Sequence, residues 1–276
     1  MKEEADAGAG ERIAARLARA AVLLDQAGGV RAAPLLDATS LRREAAVIRP
    51  VLEELAGRPY GRLPVLAFRG RREARLAGPW SQYLTLGLGA TRMVRMAPAR
   101  LLGLAVPTVL AHELAHRYAF DETVTTLRGL EASARLGAAG DARHAVAARL
   151  ELARALLAAA MGEARAAGAP RAVDAFFAVR AEDGRLARVR AQWARLRGHG
   201  PAPWSAVVYA LGPVGALEDA AAVDAARTGP LPFPRFPIDS LQAAACWAYT
   251  GVDALTARRR APVPVSATRA LLAGAG

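Results

Sequence analysis

Val-Pro-Thr-Val-Leu-Ala-His-Glu-Leu-Ala-His, residues 106–116, is the stretch around which this chain is organised. Pro107 suits the first turn of a helix, and the apolar residues of the stretch predict a helix that packs against a core. Residues four apart on a helix lie about 6 Å apart along its axis and on nearly the same face, so His112 and His116 can direct two imidazoles at one metal ion. Glu113 lies about 100° further round the helix, where its carboxylate can reach a nearby water molecule without binding the ion itself.

These three residues form the pattern HExxH, with which a single helix supplies two zinc ligands and a general base. On His112, Glu113 and His116 the chain resembles the zincin metallopeptidases. The resemblance implies Zn²⁺ as the cofactor, a peptide or protein as the substrate, and hydrolysis of the peptide bond by a water that the metal activates. Glu113 would then be the general base, and later the acid that protonates the leaving amine.

A catalytic zinc ion takes three protein ligands and leaves one position open, so a third ligand is required. The residues downstream of the motif that could provide it are Glu122, Glu131, His144 and Glu151. In the metzincin branch the pattern is HExxHxxGxxH, whereas this chain has Ala119 and Glu122 at the glycine and third histidine positions. In the gluzincin branch the third ligand is a glutamate on the next helix, for which Glu122 and Glu131 are both eligible.

The segment 106–122 is also similar to a group of uncharacterised bacterial peptidases. Their pattern is a proline-containing lead-in, HELAH, and a short loop to an Asp-Glu pair that opens the next helix. This similarity extends over about residues 79–141 and favours Glu122, whose carboxylate the helix dipole would stabilise. Glu122 therefore completes the predicted ligand set. Glu131 is the alternative ligand, and without a metal we expect it on a solvated helix face.

The fold class predicted is α+β and mainly helical: a zincin-like domain with a small N-terminal-side sheet over the HExxH helix and a helical C-terminal half. Apolar periodicity and capping residues indicate helices over 11–24, 40–55, 121–136, 140–165, 172–197 with a break at 183–184, and 239–259. Short apolar or alternating runs over 63–68, 83–88 and 92–96 predict the strands. We expect an N-terminal helical extension over 1–39, the metallopeptidase domain over 40–260 and a C-terminal tail over 261–276.

Composition limits the classes of protein to which the chain can belong. The formal charge is +12 and the isoelectric point about 11.1, but the basic residues, all arginine except Lys2, are dispersed, and aromatic residues make up only 5%. These features argue against a specific nucleic-acid surface. The single cysteine, Cys246, excludes an intrachain disulfide framework. With no secretory signal or transmembrane segment in the sequence, a cytoplasmic location is expected, and peripheral membrane association stays open.

The remaining candidates have plainer expected roles. Tyr118 lies about 240° from His112 around the helix and is expected to pack in the core. His144 and His199 are expected to be solvated. Each zinc-binding histidine should also have a partner for its second ring nitrogen, which the sequence does not identify. Two alternative functions stay open: a regulatory or non-catalytic zinc-binding protein, and a helical scaffold in which HExxH is incidental.

Overall fold

The computed structural model describes residues 2–28, 38–61, 65–67, 94–96, 106–115, 118, 122–198, 212–218 and 263–276. This part of the chain is mainly helical, as predicted. The helices are α1 (Lys2–Gln26), α2 (Ala38–Ala56), α3 (Val106–Ala115), α4 (Glu122–Ala138), α5 (Ala142–Ala166), α6 (Arg171–Val179), α7 (Ala187–Gly198), α8 (Gly212–Glu218) and α9 (Ser266–Ala273). A short 3₁₀ helix, Gly184–Leu186, precedes α7.

Two three-residue strands, β1 (Val65–Ala67) and β2 (Val94–Met96), pair in parallel, with Val65 opposite Val94 and Ala67 opposite Met96. They fall within the first and third of the three predicted runs, and the second run, 83–88, lies outside the described residues. β1 packs against α2 and β2 against α3. The strand pair therefore lies beside the helix that carries the motif.

Several helix boundaries follow directly from local chemistry. α5 begins after Asp141, whose carboxylate accepts hydrogen bonds from the backbone N–H groups of Arg143 and His144, an N-cap that satisfies donors left free at a helix start. Asp183 caps the 3₁₀ helix in the same way and separates α6 from α7. The predicted opening of α5 and the break at 183–184 are thus confirmed. The helix predicted over 239–259 lies outside the described residues.

The buried residues form two clusters that meet at α4. The larger cluster contains apolar side chains of α1, α4, α5 and the C-terminal helices, including Leu127 and Leu130 of α4. The smaller one joins α2, α3 and the segment 57–61 to Ala132 of α4. Because α4 supplies residues to both clusters, its position relative to the motif helix is fixed from two sides.

The two chain ends belong to this packing. α1 lies along α5, and α9 contacts both α4 and α5. Leu23 and Leu24 of α1 and Leu272 of α9 are buried in the larger cluster. α1 and α9, which fall within the predicted extension 1–39 and the predicted tail 261–276, therefore share a core with the helices that follow the motif. Among the described helices, each is too short or too polar to cross a lipid bilayer.

Candidate metal centre

Nearly all the side chains of the motif helix α3 that the structure describes are buried. Leu110, Ala111, Leu114 and Ala115 are 0% exposed, as expected for the apolar side of a core helix. Among the side chains of α3 that the structure describes, only His112 is not buried. A helix packed in this way has a rigid backbone, so the direction in which the His112 side chain projects from it is well defined.

Of the four predicted site residues, the structure describes the side chains of His112 and Glu113. Glu113 is buried, with 5% of its surface exposed. His116 lies outside the described residues, as does the side chain of Glu122, whose backbone begins α4. The described residues include no group of three or more His, Cys, Asp or Glu side chains arranged to hold a metal ion.

Helix α4 makes two contacts with His112. The hydroxyl oxygen of Thr126 lies 3.2 Å from Nδ1 of the imidazole. One turn further along α4, Gly129 approaches the backbone of His112 so closely that a Cβ at position 129 would lie 2.7 Å from its nitrogen. The absence of a side chain at Gly129 is what allows the two helices to come this close.

The roles of Thr126 and Gly129 could not be predicted from the sequence alone. A glycine inside a helix is unfavourable and so indicates close packing, but the sequence does not show which element it packs against. The spacing of these residues becomes informative only when the contact with His112 is known. Positions 122, 126 and 129 are separated by four and three residues and so lie on one face of a helix. That face begins with Glu122.

Tyr118 packs in the core directly after the motif helix, as predicted, and is 1% exposed. Its hydroxyl donates to the carbonyl oxygen of Arg58 at 3.1 Å, and its ring meets that of Tyr60 edge-on, with centroids 5.7 Å apart. The Arg58 guanidinium lies over the Tyr118 ring, 5.1 Å from its centroid. These contacts attach the chain after α3 to the segment that follows α2.

The alternative ligand, Glu131, has a different set of partners. Its side chain is 0% exposed, so the expectation of a solvated helix face is wrong. Its two oxygens accept hydrogen bonds from the backbone N–H groups of Ala267 and Thr268, at 3.2 and 2.9 Å, and from the Thr268 hydroxyl at 3.0 Å. Arg135 adds an ion pair at 3.0 Å. Glu131 thus caps the first turn of α9, where the helix dipole favours an anion.

His144 is also buried, at 0% exposure, and the expectation that it is solvated is wrong. Its Nε2 lies 2.7 Å from Oε1 of Glu44, and its Nδ1 lies 3.2 Å from the Ser133 hydroxyl. Burial by itself would raise the pKa of Glu44, but the contact with His144 and the charge of Arg143 outweigh it and lower that pKa. The three residues Glu44, Ser133 and His144 thus connect α2, α4 and α5.

Ser133, His144 and Glu44 contain the residue types of a hydrolytic triad but not its arrangement. In such triads the serine bonds Nε2 and the acid bonds Nδ1, the reverse of the order found here. Ser133 is also 0% exposed, which leaves no access for a substrate. The cluster is therefore structural.

Glu151, the last of the eligible downstream residues, is buried at 8% exposure and bonds its neighbour Arg154 on the same helix, Nε to Oε2, at 2.8 Å. His199 lies outside the described residues. Comparisons of the chain with protein-family models, curated proteins and solved structures give no match.

Proposed function

We propose that this protein is a zinc-dependent peptidase in which His112, His116 and Glu122 bind the metal and Glu113 is the general base. The observation that carries the proposal is the environment of His112. Among the side chains of α3 that the structure describes, it alone is partly exposed. Its Nδ1 lies 3.2 Å from the Thr126 hydroxyl oxygen, so a metal would bind this ring through Nε2.

The helical spacing supports the two ligands whose side chains lie outside the described residues. His116 follows His112 by four residues in the HExxH spacing, directly after Ala115, the last described residue of α3. Glu122 precedes Thr126 by one turn, at the start of α4. Thr126 contacts His112. His116 and Glu122 are each four residues from one of these two, on the side of the α3–α4 connection, so helical spacing makes them the natural source of two further ligands. The resulting donor set, two imidazoles and a carboxylate, suits zinc.

Zinc, when bound, supplies a Lewis acid that polarises the scissile carbonyl and makes water acidic near neutral pH. Glu113 takes a proton from the attacking water and transfers it to the amine that leaves. Its burial excludes bulk water from the carboxylate, which strengthens its electrostatic interactions with the reacting groups. Attack of the water oxygen on the carbonyl carbon forms a C–O bond, and the peptide C–N bond breaks as the protonated amine leaves, so the elements of water are added across it.

The pairing of β1 with β2, beside α2 and α3, supports a zincin-like arrangement in which strands lie over the motif helix. An extended peptide could then add to an exposed strand edge by main-chain hydrogen bonds. We place the activity in the cytoplasm, on a peptide or protein substrate. The regulatory or non-catalytic zinc protein remains the first alternative and the helical scaffold the second.

Metal analysis tests this proposal directly. The wild-type protein, purified without added metal, is expected to contain one zinc per chain, and His112→Ala, His116→Ala and Glu122→Ala should each lose most of it. Glu151→Ala is the matched control, because it removes a downstream glutamate already paired with Arg154. Wild type without zinc would overturn the proposal in favour of a scaffold. Zinc retained in Glu122→Ala but lost in Glu131→Ala would reassign the third ligand.

A peptide library separates the enzyme from its zinc-binding alternative. The wild type should cleave many members of a random library, and a chelator should abolish cleavage that added zinc restores. A regulatory protease should cleave almost none of the peptides, and a non-catalytic protein none at all. If zinc is bound and the protein cleaves almost none or none of the peptides, the proposed metal site is retained and general peptidase activity is refuted.

A further inference from the structure

We propose that Thr126 is a positioning residue that holds the His112 imidazole in the tautomer that binds zinc through Nε2. This inference rests on the proposed function, because it assigns a role to a residue beside the metal ligand. The contact between the Thr126 hydroxyl oxygen and Nδ1 of His112, at 3.2 Å, carries it.

Which ring nitrogen of His112 binds the metal depends on which one carries the proton. A neutral ring has one N–H donor and one lone pair, and the metal takes the lone pair. A hydroxyl oxygen can accept a hydrogen bond from Nδ1–H. A threonine on a helix can direct its own hydroxyl hydrogen to a carbonyl of the preceding turn. With Nδ1 protonated against Thr126, the lone pair is on Nε2, at the outer end of the ring.

The surroundings hold both partners in place. Thr126 is 4% exposed, and a β-branched side chain on a helix has few accessible χ1 rotamers. Gly129, one turn along the same face of α4, brings that helix within contact of the His112 backbone and Cβ. Helix α4 therefore fixes both the position of the His112 backbone and Cβ and the orientation of its imidazole ring. Groups that orient a metal-binding histidine in this way typically change metal affinity by about 10- to 100-fold.

The chain contains a matched control for this contact. Ser133 lies on the same helix, and its hydroxyl is also 3.2 Å from a histidine Nδ1, that of His144. Both hydroxyls belong to buried side chains. Removing the Ser133 hydroxyl disturbs α4 in a similar way without touching His112, so it separates a loss of stability from a loss of ring orientation.

The experiment measures zinc affinity by chelator competition in Thr126→Val, Thr126→Ser and Ser133→Ala. Thr126→Val keeps the shape and removes the hydroxyl, and it should weaken zinc binding about 10- to 100-fold. Thr126→Ser restores the hydroxyl and should bind zinc within a few-fold of wild type. Ser133→Ala should lower the unfolding midpoint while leaving zinc affinity unchanged. Equal losses of affinity in Thr126→Val and Ser133→Ala would overturn the positioning role.

A second measurement uses the wild-type protein alone and so does not depend on a variant that folds. The ¹⁵N resonances of the His112 ring should report Nδ1–H in the metal-free protein and zinc on Nε2 in the loaded one. Zinc on Nδ1, or a proton on Nε2 in the metal-free protein, would overturn the inference while the peptidase proposal survives. If the wild type binds no zinc, the peptidase proposal fails, and the metal-free tautomer still tests the Thr126 contact.

Discussion

Gly129 lies against His112 so closely that a Cβ at position 129 would be 2.7 Å from the His112 nitrogen and 2.8 Å from its Cα. Both of these atoms belong to the backbone of the motif helix, so they cannot move aside as a flexible side chain would. The separation of α3 and α4 at the candidate site is therefore set by the absence of a single methyl group. Larger residues at position 129 must push the two helices apart.

Gly129→Ala is expected to lower the free energy of unfolding by about 1–3 kcal/mol, because the strain of overpacking exceeds the gain in helix propensity. It should also weaken zinc binding, since the displaced backbone carries His112. Gly137→Ala is the control: its Cβ would lie 2.7 Å from the Cα of Ala145, in the contact between α4 and α5. Urea unfolding and zinc competition on both variants check the prediction. A similar stability loss with unchanged zinc affinity in both would contradict it.

Glu113→Gln should reduce turnover by about 10²- to 10⁴-fold, the usual contribution of a positioned general base. The amide has nearly the same shape as the carboxylate but cannot accept the proton of the attacking water. Zinc content should stay at the wild-type level, because Glu113 is not a proposed ligand. The checks are elemental analysis and the initial rate of peptide cleavage. Loss of zinc in this variant would show that Glu113 has a different role.

The local parts of the fold could be predicted from sequence because their causes are local. Asp141 begins α5 and Asp183 interrupts the next helical stretch, and each acts through backbone groups two or three residues away. The apolar side of α3 was likewise visible in Leu110 and Leu114. Spacing and capping chemistry are enough for such features.

The roles of Glu131 and His144 could not be predicted because their partners come from distant parts of the chain. Glu131 bonds Thr268, a separation of 137 residues, and His144 meets Glu44 of α2. A charged residue on a helix whose partner is far away in sequence has the same local pattern as one facing solvent. The role of Thr126 could not be predicted for the same reason, since only the packing of α4 on α3 brings it to His112.

Replacing Glu131 tests whether this buried carboxylate holds the C-terminal helix on α4. Glu131→Ala should cost about 3–5 kcal/mol of stability, since it leaves the N–H groups of Ala267 and Thr268 and the Thr268 hydroxyl without their acceptor. Arg135 keeps only its second, exposed partner. Glu54→Ala removes the other carboxylate that pairs with Arg135, at 2.7 Å, but Glu54 is 73% exposed, and this change should cost only about 0–1 kcal/mol.

The measurements for this pair are urea unfolding and hydrogen exchange of the amides of α9. In Glu131→Ala, the amides of α9 should exchange faster than those of α5, because α9 loses its cap while α5 keeps its own at Asp141. Equal destabilisation by the two substitutions would contradict the assignment of Glu131 as the cap of α9.

The Glu44–His144 contact predicts a pH dependence of stability. The pKa of Glu44 is lowered in the folded protein: burial opposes this shift, while His144 and Arg143 produce it and Asp141 partly offsets it. A carboxyl group whose pKa is lower folded than unfolded stabilises the fold fully above the unfolded value, about 4.3. That contribution is lost as the pH falls through the folded value. Glu44 should thus stabilise the protein at pH 7 and progressively less below about pH 4.

Urea unfolding of wild type and Glu44→Gln between pH 7 and pH 3 measures this effect. The variant should be less stable at pH 7, and the difference in the free energy of unfolding should shrink as the solution is acidified, because the wild-type carboxyl then becomes neutral too. Arg143→Gln should have a smaller effect, about 0–1 kcal/mol, since Arg143 is 63% exposed and solvent screens its charge. A difference between wild type and Glu44→Gln that stays constant down to pH 3 would show that the charge of Glu44 does not stabilise the junction of α2, α4 and α5.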